Sequence, residues 1–300
     1  MSKVMTMKEA VSRFVNDGDT LFLSGAQHGE PAAAIHEIIR QKKKHLSLVC
    51  ALVTTANFLV GEGLVDVMIT GYSGQDARSY PIIKSKELNP GMIYKESSHF
   101  GIALALHAGQ MGIPYIPTKC LLGSDLIKYN DDLTTTQCPF TGETLAAVKA
   151  VVPDVGIIHV QRCDVLGNAQ KWGSLGVDYE GINASKKVIV TTENIVDSSV
   201  IRSDPNRTII PGFRVDAVVE QPWGAYPMHM AGCYDGDMFG FMMESGGSKE
   251  KYEDYMEKLV YGTTDWNEYL ALMKERKGED YFRKLEIKNP LKSEPIIMGY

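Results

Sequence analysis

The sequence predicts an α/β protein with an open, mainly parallel sheet and flanking helices. Short apolar runs rich in valine and isoleucine alternate with stretches of helical spacing, a pattern typical of parallel strands that are buried on both faces. The chain has 300 residues, of which 44% are hydrophobic. A chain of this length and composition can bury a large core.

The elements follow from this alternation in chain order. The predicted strands are 20–24, 46–52, 65–70, 92–95, 155–160, 187–191 and 217–220. The predicted helices are 8–16, 31–41, 55–61, 99–111, 141–150 and 198–203. The turn Asp17-Gly18-Asp19 ends the first helix, and Pro31 opens the second, because proline is favoured in the first turn of a helix.

Residues 97–118 contain no Asp, Glu, Lys or Arg, and a stretch of this length could in principle span a membrane. Histidines, a glutamine and the prolines Pro114 and Pro117 interrupt it. We therefore expect a buried core helix followed by a short extended piece, and no membrane partner.

The C-terminal part of the chain, from residue 249 to about 288, is rich in tyrosine at helical spacing and lacks strand character. This pattern predicts helices that pack on the sheet or on a partner. The predicted organisation is an α/β domain over residues 1–248 and a helical extension with a C-terminal tail over residues 249–300.

Composition excludes several classes of function. The formal net charge is -6 and no basic stripe is present, so nucleic acid is not an expected partner. The five cysteines form no C-x-x-C pair, which argues against a zinc ribbon or a disulfide framework. The N-terminus lacks a signal-peptide pattern, so we expect a cytoplasmic protein.

The connection after the first strand is the most informative candidate site. It contains Ser24, Gly25, Ala26, Gln27 and His28 and leads into a helix. Small residues there allow backbone N–H groups to face an anion or a developing oxyanion. The connection is neither G-x-G-x-x-G nor a phosphate-binding loop of the Walker type, so nucleotide binding by those routes is not expected.

Two further polar connections follow the third and fourth strands. Ser73 and Gln75 lie in one, and Glu96, Ser98 and His99 lie in the other. The ends of parallel strands are ligand-binding positions, and Glu96 and His99 are candidate catalytic residues. A solvent-exposed imidazole at a helix start is the alternative interpretation of His99.

The other histidines are assigned structural or surface positions. His159 lies within an apolar strand and is predicted to be a hydrogen-bonded core residue, whereas His36 and His45 are predicted to lie on the surface. No Ser-His-Asp order, G-x-S-x-G elbow or H-E-x-x-H metal motif is present. We therefore predict no metal site.

The ordered segments resemble the α subunit of family I coenzyme A transferases, most closely that of glutaconate CoA-transferase, over nearly the whole chain. They are 1–6, 8–10, 17–19, 24–31, 112–117, 154–161, 172–173, 215–219 and 221–227. The chain is also similar to the α subunit of hydrolases that open the rings of steroid-derived acyl-CoAs.

The resemblance implies the CoA-transferase, or NagB/RpiA-like, fold and an α2β2 assembly with the active site between α and β subunits. The β subunit would carry a nucleophilic glutamate, and this chain would supply part of the oxyanion pocket and loops that bind carboxylates. Coenzyme A would enter as part of an acyl-CoA substrate, with carboxylic acids as the other substrates and no permanently bound cofactor.

Two departures from the family pattern bear on the reaction. Ala26 stands where the family has the aromatic residue of Gly-Gly-Phe, and His99 aligns with a pocket-facing glutamine. An imidazole can act as a base near neutral pH, which an amide cannot. CoA transfer is the leading hypothesis. A hydrolase or lyase that uses His99 or Glu96 as base and a ligand-binding sensor of the same fold are the alternatives.

Overall fold

The fold is described from a computed structural model for residues 2–72 and 80–288. The strands are β1 Thr20–Leu23, β2 Leu46–Cys50, β3 Val65–Thr70, β4 Ile93–Glu96, β5 Tyr115–Thr118, β6 Leu133–Gln137, β7 Thr144–Lys149, β8 Val155–Cys163, β9 Ala169–Gln170, β10 Lys187–Ile195, β11 Thr208–Ile210 and β12 Ala217–Glu220. The helices are α1 Met7–Phe14, α2 Ala32–Arg40, α3 Asn57–Gly61, α4 Tyr80–Leu88, α5 His99–Met111, α6 Leu126–Tyr129, α7 Asp178–Ala184, α8 Ser198–Ser203, α9 Met238–Ser245, α10 Lys249–Tyr255, α11 Trp266–Lys277 and α12 Tyr281–Leu285. A π-helical segment, Met256–Tyr261, directly follows α10 and precedes α11.

The main sheet is parallel along the order β12-β10-β8-β1-β2-β3-β4. Strands β9 and β11 extend it with antiparallel pairing beside β8. From β1, the chain adds strands towards β4 in one direction and then returns to add β8, β10 and β12 in the other. The direction of winding therefore changes between β1 and β8, and open α/β sheets bind ligands at such a switch point.

Both faces of the sheet are covered by helices. In β1, Leu21 and Leu23 point into the core under α1, α2 and the C-terminal helices, whereas Phe22 points to the opposite face and packs with residues of α5 and α7. Successive side chains of a strand point to opposite faces. The apolar runs of the sequence therefore arise because each strand has two buried faces, which confirms the predicted fold class.

Helix α5 begins and ends with the capping groups that its sequence provides. Ser98 Oγ accepts a hydrogen bond of 2.9 Å from the Gly101 N–H, and Gly112 ends the helix with a left-handed backbone. Ile102 and Leu106 are buried, as expected for a core helix. Across the described ranges, no helix is long and apolar enough to cross a membrane.

The region 141–150 is a strand and not the predicted helix. β7 pairs with both β5 and β6 in a separate three-stranded antiparallel sheet. Its buried residues Ala146 and Val148 pack against Ala105 of α5. Alanine and leucine favour helix in isolation, but pairing on both sides of β7 and burial against α5 override that preference.

The prediction that His36 lies on the surface is wrong. Its side chain on α2 is 1% exposed, with the rings of Trp266 and Tyr269 each 4.9 Å from the imidazole centroid. The C-terminal helices cover the face of α2 that points away from the sheet. Burial lowers the pKa of His36 well below its ordinary value, and the nearby Arg40 charge acts in the same direction. His45 is exposed as predicted.

Residues 249–288 form helices, as predicted, and they share the core of the strands. Tyr252, Tyr255, Trp266 and Tyr269 belong to the same buried cluster as Leu21. The boundary at residue 248 remains a prediction.

Candidate active site at the carboxyl edge of the sheet

The glycine loop, residues 24–29, leaves β1 at the switch point. Ser24 is buried; its N–H donates to Ile157 O at 3.1 Å, and its Oγ accepts from the His159 N–H at 3.4 Å. Gly25 has φ of +111°, a conformation that favours glycine. Its N–H donates to Asp178 Oδ1 at 2.7 Å, so the Gly25 amide is directed into the protein and not towards a substrate.

The later N–H groups of the glycine loop divide into two sets. Gln27 N–H donates to Leu52 O at 3.3 Å, and Gly29 N–H donates to His229 O at 3.0 Å. Among the described residues, none accepts a hydrogen bond from the N–H groups of Ala26 or His28. Ala26 is also half-buried at the loop. The loop therefore offers the Ala26 and His28 amides as its remaining donors.

The His28 side chain is a support for this loop. It is buried; its Nε2 accepts from the Ala231 N–H at 3.1 Å, so Nδ1 carries the proton and donates to Ser174 O at 2.9 Å. Burial lowers the pKa of His28 to about 4, and the Lys171 charge adds to that effect. Near neutral pH this imidazole is uncharged and both of its nitrogens are occupied.

A buried ion pair lies directly behind the glycine loop. Lys171 Nζ is 2.6 Å from Asp178 Oδ2, and neither side chain has any exposed surface. Lys171 Nζ also donates to Gly29 O at 3.3 Å. Asp178 opens α7, and Lys171 directly follows β9. Neither residue was identified from the sequence, because 153 positions separate Gly25 from Asp178.

Glu30 is a second buried charged group that the sequence did not reveal. Its carboxylate accepts from Thr54 N–H at 3.0 Å, Thr55 N–H at 2.9 Å and Thr55 Oγ1 at 2.7 Å. These threonines follow β2, so Glu30 joins the glycine loop to the neighbouring strand-end loop. Burial raises the pKa of Glu30, against the lowering effect of these hydrogen bonds.

His159 is a hydrogen-bonded core residue, as predicted. Its side chain is fully buried, with Nδ1 2.8 Å from Thr191 Oγ1 and Nε2 2.6 Å from Glu193 Oε1. Glu193 also accepts from Tyr234 Oη at 2.7 Å and from Trp223 N–H at 2.8 Å. This network fixes the ends of β8 and β10 beside the switch point.

The second part of the site lies at the end of β4. Glu96 and His99 are exposed, and Ser98 caps α5 between them. The His99 ring lies against Gly71, since a Cβ added to Gly71 would be 2.2 Å from His99 Cδ2. The structure therefore brings the connections after β3 and β4 together. Ser73 and Gln75 lie outside the described residues.

A cleft of about 260 Å³ opens at this end of β4. It is lined by Thr70, Gly71, Tyr72, Tyr94 and Glu96. The glycine loop and the Glu96–His99 connection share one edge of the sheet, but β2 and β3 lie between their strands. At about 4.8 Å per strand, β1 and β4 are roughly 14 Å apart. A substrate that reached both would have to be extended along this edge.

Within the described part of the chain, no group of three or more His, Cys, Asp or Glu side chains is placed to hold a metal ion. The polar groups at the candidate site are backbone amides, hydroxyls and an imidazole, which can donate hydrogen bonds, and the Glu96 carboxylate, which can accept them. Such a set can bind an oxyanion and position a carboxylate-bearing substrate.

The sheet, its switch point and the amide-lined loop define an α/β protein whose candidate ligand site lies at the strand ends. A model of the coenzyme A transferase family matches residues 4–221. The chain belongs to this family, an enzyme family, which confirms the resemblance and the prediction of an enzyme.

Three relatives place the chain within the family. It is 36% identical to the A subunit of 3-oxoadipate CoA-transferase from Pseudomonas knackmussii, over 92% of this chain and 100% of the relative. It is 32% identical to the A subunit of glutaconate CoA-transferase from Acidaminococcus fermentans, over 90% of this chain and 91% of the relative. The cholesterol ring-cleaving hydrolase IpdA subunit of Rhodococcus jostii is 23% identical, over 93% of this chain and 94% of the relative.

The fold is also that of a solved relative. The crystal structure of glutaconate CoA-transferase from A. fermentans superposes with a TM-score of 0.83 and 30% identity, over 95% of this chain and 96% of that chain. The similarity extends through the C-terminal helices, beyond the residues matched by the family model.

Proposed function

We propose that this chain is the α subunit of a cytoplasmic, heteromeric CoA-transferase, assembled as α2β2, that exchanges CoA between carboxylic acids. The chain is a member of the coenzyme A transferase family, and the observation that carries the proposal is its glycine loop at the switch point. Among the described residues, none accepts a hydrogen bond from the Ala26 N–H of this loop. The relatives named for 3-oxoadipate and glutaconate support a dicarboxylic acid as one substrate.

The proposed reaction proceeds through a glutamate of the β subunit. Its carboxylate attacks the thioester carbonyl carbon, and the resulting oxyanion accepts a hydrogen bond from the Ala26 N–H. Loss of CoA thiolate gives a mixed anhydride. The thiolate then attacks the glutamyl carbonyl, which releases the first acid and leaves a glutamyl-CoA thioester. An acceptor carboxylate reverses these steps and leaves with CoA.

The other predicted site residues are proposed to bind the acyl group. Glu96, Ser98 and His99 lie at the end of β4, and Ser73 and Gln75 follow β3 in the sequence. Ala26 presents only a methyl group where the family has an aromatic ring, which leaves space for a differently shaped acyl chain. His28 supports the loop through its two backbone hydrogen bonds.

Hydrolysis or cleavage of the thioester substrate is the second candidate. The His99 imidazole is exposed at the edge of the site, where it could accept a proton from water. The hydrolase relative aligns with this chain over most of its length. In ring opening, water adds across a carbon–carbon bond of the acyl group and the thioester to CoA stays intact. In hydrolysis of the thioester itself, the acyl group passes to water and CoA leaves as the free thiol.

The decisive experiment traps the covalent intermediate. The chain is purified together with its β-type partner, mixed with an acyl-CoA of a dicarboxylic acid, and treated with borohydride or hydroxylamine. CoA transfer predicts a modified glutamate in the β subunit, detected by peptide mass spectrometry. The absence of any modified glutamate, in a preparation that still consumes the thioester, would contradict the proposal.

His99→Gln separates the two reactions. A transferase whose acyl chemistry is on the partner should keep kcat within about threefold, whereas loss of a general base lowers kcat by about 10²- to 10⁴-fold. His107→Gln is the matched control, because His107 is also exposed on α5. A large loss for His99→Gln alone would favour the hydrolase.

A further inference from the structure

The Lys171–Asp178 pair stands at the two ends of the glycine loop. Asp178 Oδ1 accepts from the Gly25 N–H at 2.7 Å, and Lys171 Nζ donates to Gly29 O at 3.3 Å. The two side chains are joined by a contact of 2.6 Å between Nζ and Oδ2, with no exposed surface. One buried charge pair therefore holds the first and the last glycine of the loop.

Stability alone does not account for such a pair. Removing two charges from water costs several kcal/mol per ion, and a buried ion pair can often be replaced by apolar residues without loss of stability. What an apolar pair cannot provide is a directed acceptor for the Gly25 N–H and a directed donor for Gly29 O. The spacing between these two backbone groups determines the path of the residues between them.

The glycine loop is also closely packed against the side chains of Lys171 and Glu30. A Cβ on Gly29 would be 2.9 Å from Lys171 Nζ, and a Cβ on Gly25 would be 2.8 Å from Glu30 Cγ. With Gly25, Gln27 and Gly29 amides all bonded inward, Ala26 lies between two fixed neighbours. Its N–H is held in place by these neighbours and not by an acceptor among the described residues.

We infer that Lys171 and Asp178 are positioning residues that hold the glycine loop so that the Ala26 N–H faces the reacting carbonyl. The pair would contact no substrate and would act through the backbone of Gly25 and Gly29. The assignment of the Ala26 amide to the oxyanion rests on the proposed function, whereas the ordering of the loop by the pair does not.

Two double variants test this inference. Lys171→Met with Asp178→Leu removes both charges and both hydrogen bonds to the loop. Lys171→Gln with Asp178→Asn also removes both charges, but it keeps an acceptor near Gly25 and a donor near Gly29. Neither variant leaves a single unpaired charge in the core, so both are expected to fold with the β-type partner.

The expected result is a difference in kcat. The Met/Leu variant should lose about 10²- to 10³-fold in kcat, the range for losing one oxyanion donor, with the KM for the thioester changed by less than about threefold. The Gln/Asn variant should lose only about tenfold. Equal kcat values for the two variants, at similar urea midpoints, would overturn the inference.

Amide hydrogen exchange tests the loop without reference to activity. A peptide covering residues 20–30 should exchange faster in the Met/Leu variant than in the Gln/Asn variant, while a peptide from β10 should not change. If the wild-type assembly transfers no CoA, the proposed function fails and this comparison alone decides the positioning role. Identical loop exchange in both variants would refute that role.

Discussion

Gly71 and His99 meet at the ends of β3 and β4, and their contact leaves no room for a methyl group. A Cβ on Gly71 would be 2.2 Å from His99 Cδ2 and 2.8 Å from the His99 backbone nitrogen. The backbone atom belongs to the first residue of α5 and cannot rotate away. We expect Gly71→Ala to lower the free energy of unfolding by about 1–3 kcal/mol, measured by urea denaturation.

Gly91→Ala is the control for this substitution. Gly91 lies just before β4, and the nearest atom to an added Cβ is Asn89 Oδ1 at 3.7 Å, an ordinary contact distance. The control should be neutral or slightly stabilising. Equal midpoints for the two variants would show that His99 does not pack on Gly71.

His36 predicts a pH dependence of stability. Because burial lowers its pKa in the folded state, the unfolded chain takes up the proton first as pH falls below about 6.5. The contribution of uncharged His36 to the unfolding free energy is fully present well above that pH and is lost as the pH decreases. Between pH 6.5 and 5, His36 should account for a decrease of about 2 kcal/mol in the unfolding free energy.

The measurement compares urea unfolding of wild type and His36→Leu at these two pH values. The variant should lose less stability on acidification than wild type. His107→Leu is the control, because the His107 side chain is exposed on α5. A pH dependence that is unchanged in His36→Leu would assign the effect to other groups, among them buried His28.

The residues of the glycine loop could be identified from sequence, because small residues after an apolar strand are a local signal. Lys171, Asp178 and Glu30 could not. Isolated charged residues are usually on the surface, and nothing local marks these as buried. Their role arises only when the fold brings β1, β2 and α7 together, which is a long-range property of the chain.

At the scale of elements, Glu30 joins the β1 and β2 connections. We expect Glu30→Gln to lower the unfolding free energy by about 1.5–3 kcal/mol, because the amide nitrogen that replaces one carboxylate oxygen cannot accept the N–H of Thr54 or of Thr55, which bond to different oxygens. Glu87→Gln, at an exposed position of α4, should be neutral in the same urea titration. A neutral Glu30→Gln would mean that the two loops are held by other contacts.

The elements show where local reasoning succeeds. Strands β3 and β12 and helices α5 and α8 have the predicted limits, because turn or capping residues flank each of them. β7 was predicted as a helix because its alanines and leucine have helical propensity. Its two antiparallel neighbours supply hydrogen bonds that no window of local sequence can reveal.

At the scale of the whole molecule, the strands added on both sides of β1 end at the same edge of the sheet. Buried polar groups fix this edge: Asp178 under the β1 connection, Glu30 beside the β2 connection, and Glu193 of β10, which is hydrogen-bonded to His159 of β8. Glu96 and His99 at β4 are exposed instead. The edge therefore has one part with buried supports and backbone amides and one part with exposed ionisable groups. This division is what we expect if, as proposed, a partner subunit completes the site.

The contacts of the C-terminal helices indicate that they unfold together with the sheet. Trp266 Nε1 donates to Trp223 O at 3.1 Å, and Tyr226 Oη lies 2.9 Å from Tyr281 Oη. Their side chains also share the core of β1 and α2. Truncation after residue 248 would expose this apolar face and remove the Trp266 and Tyr269 rings that cover His36.

We therefore expect residues 1–248 alone to lack a cooperative urea transition and a native near-ultraviolet circular dichroism spectrum. Supplying residues 249–300 as a separate polypeptide is the control, because it can restore the buried face without a covalent connection. A truncated chain that unfolds in one sharp transition at the full-length midpoint would show that the predicted boundary at residue 248 separates an independent folding unit from an accessory extension.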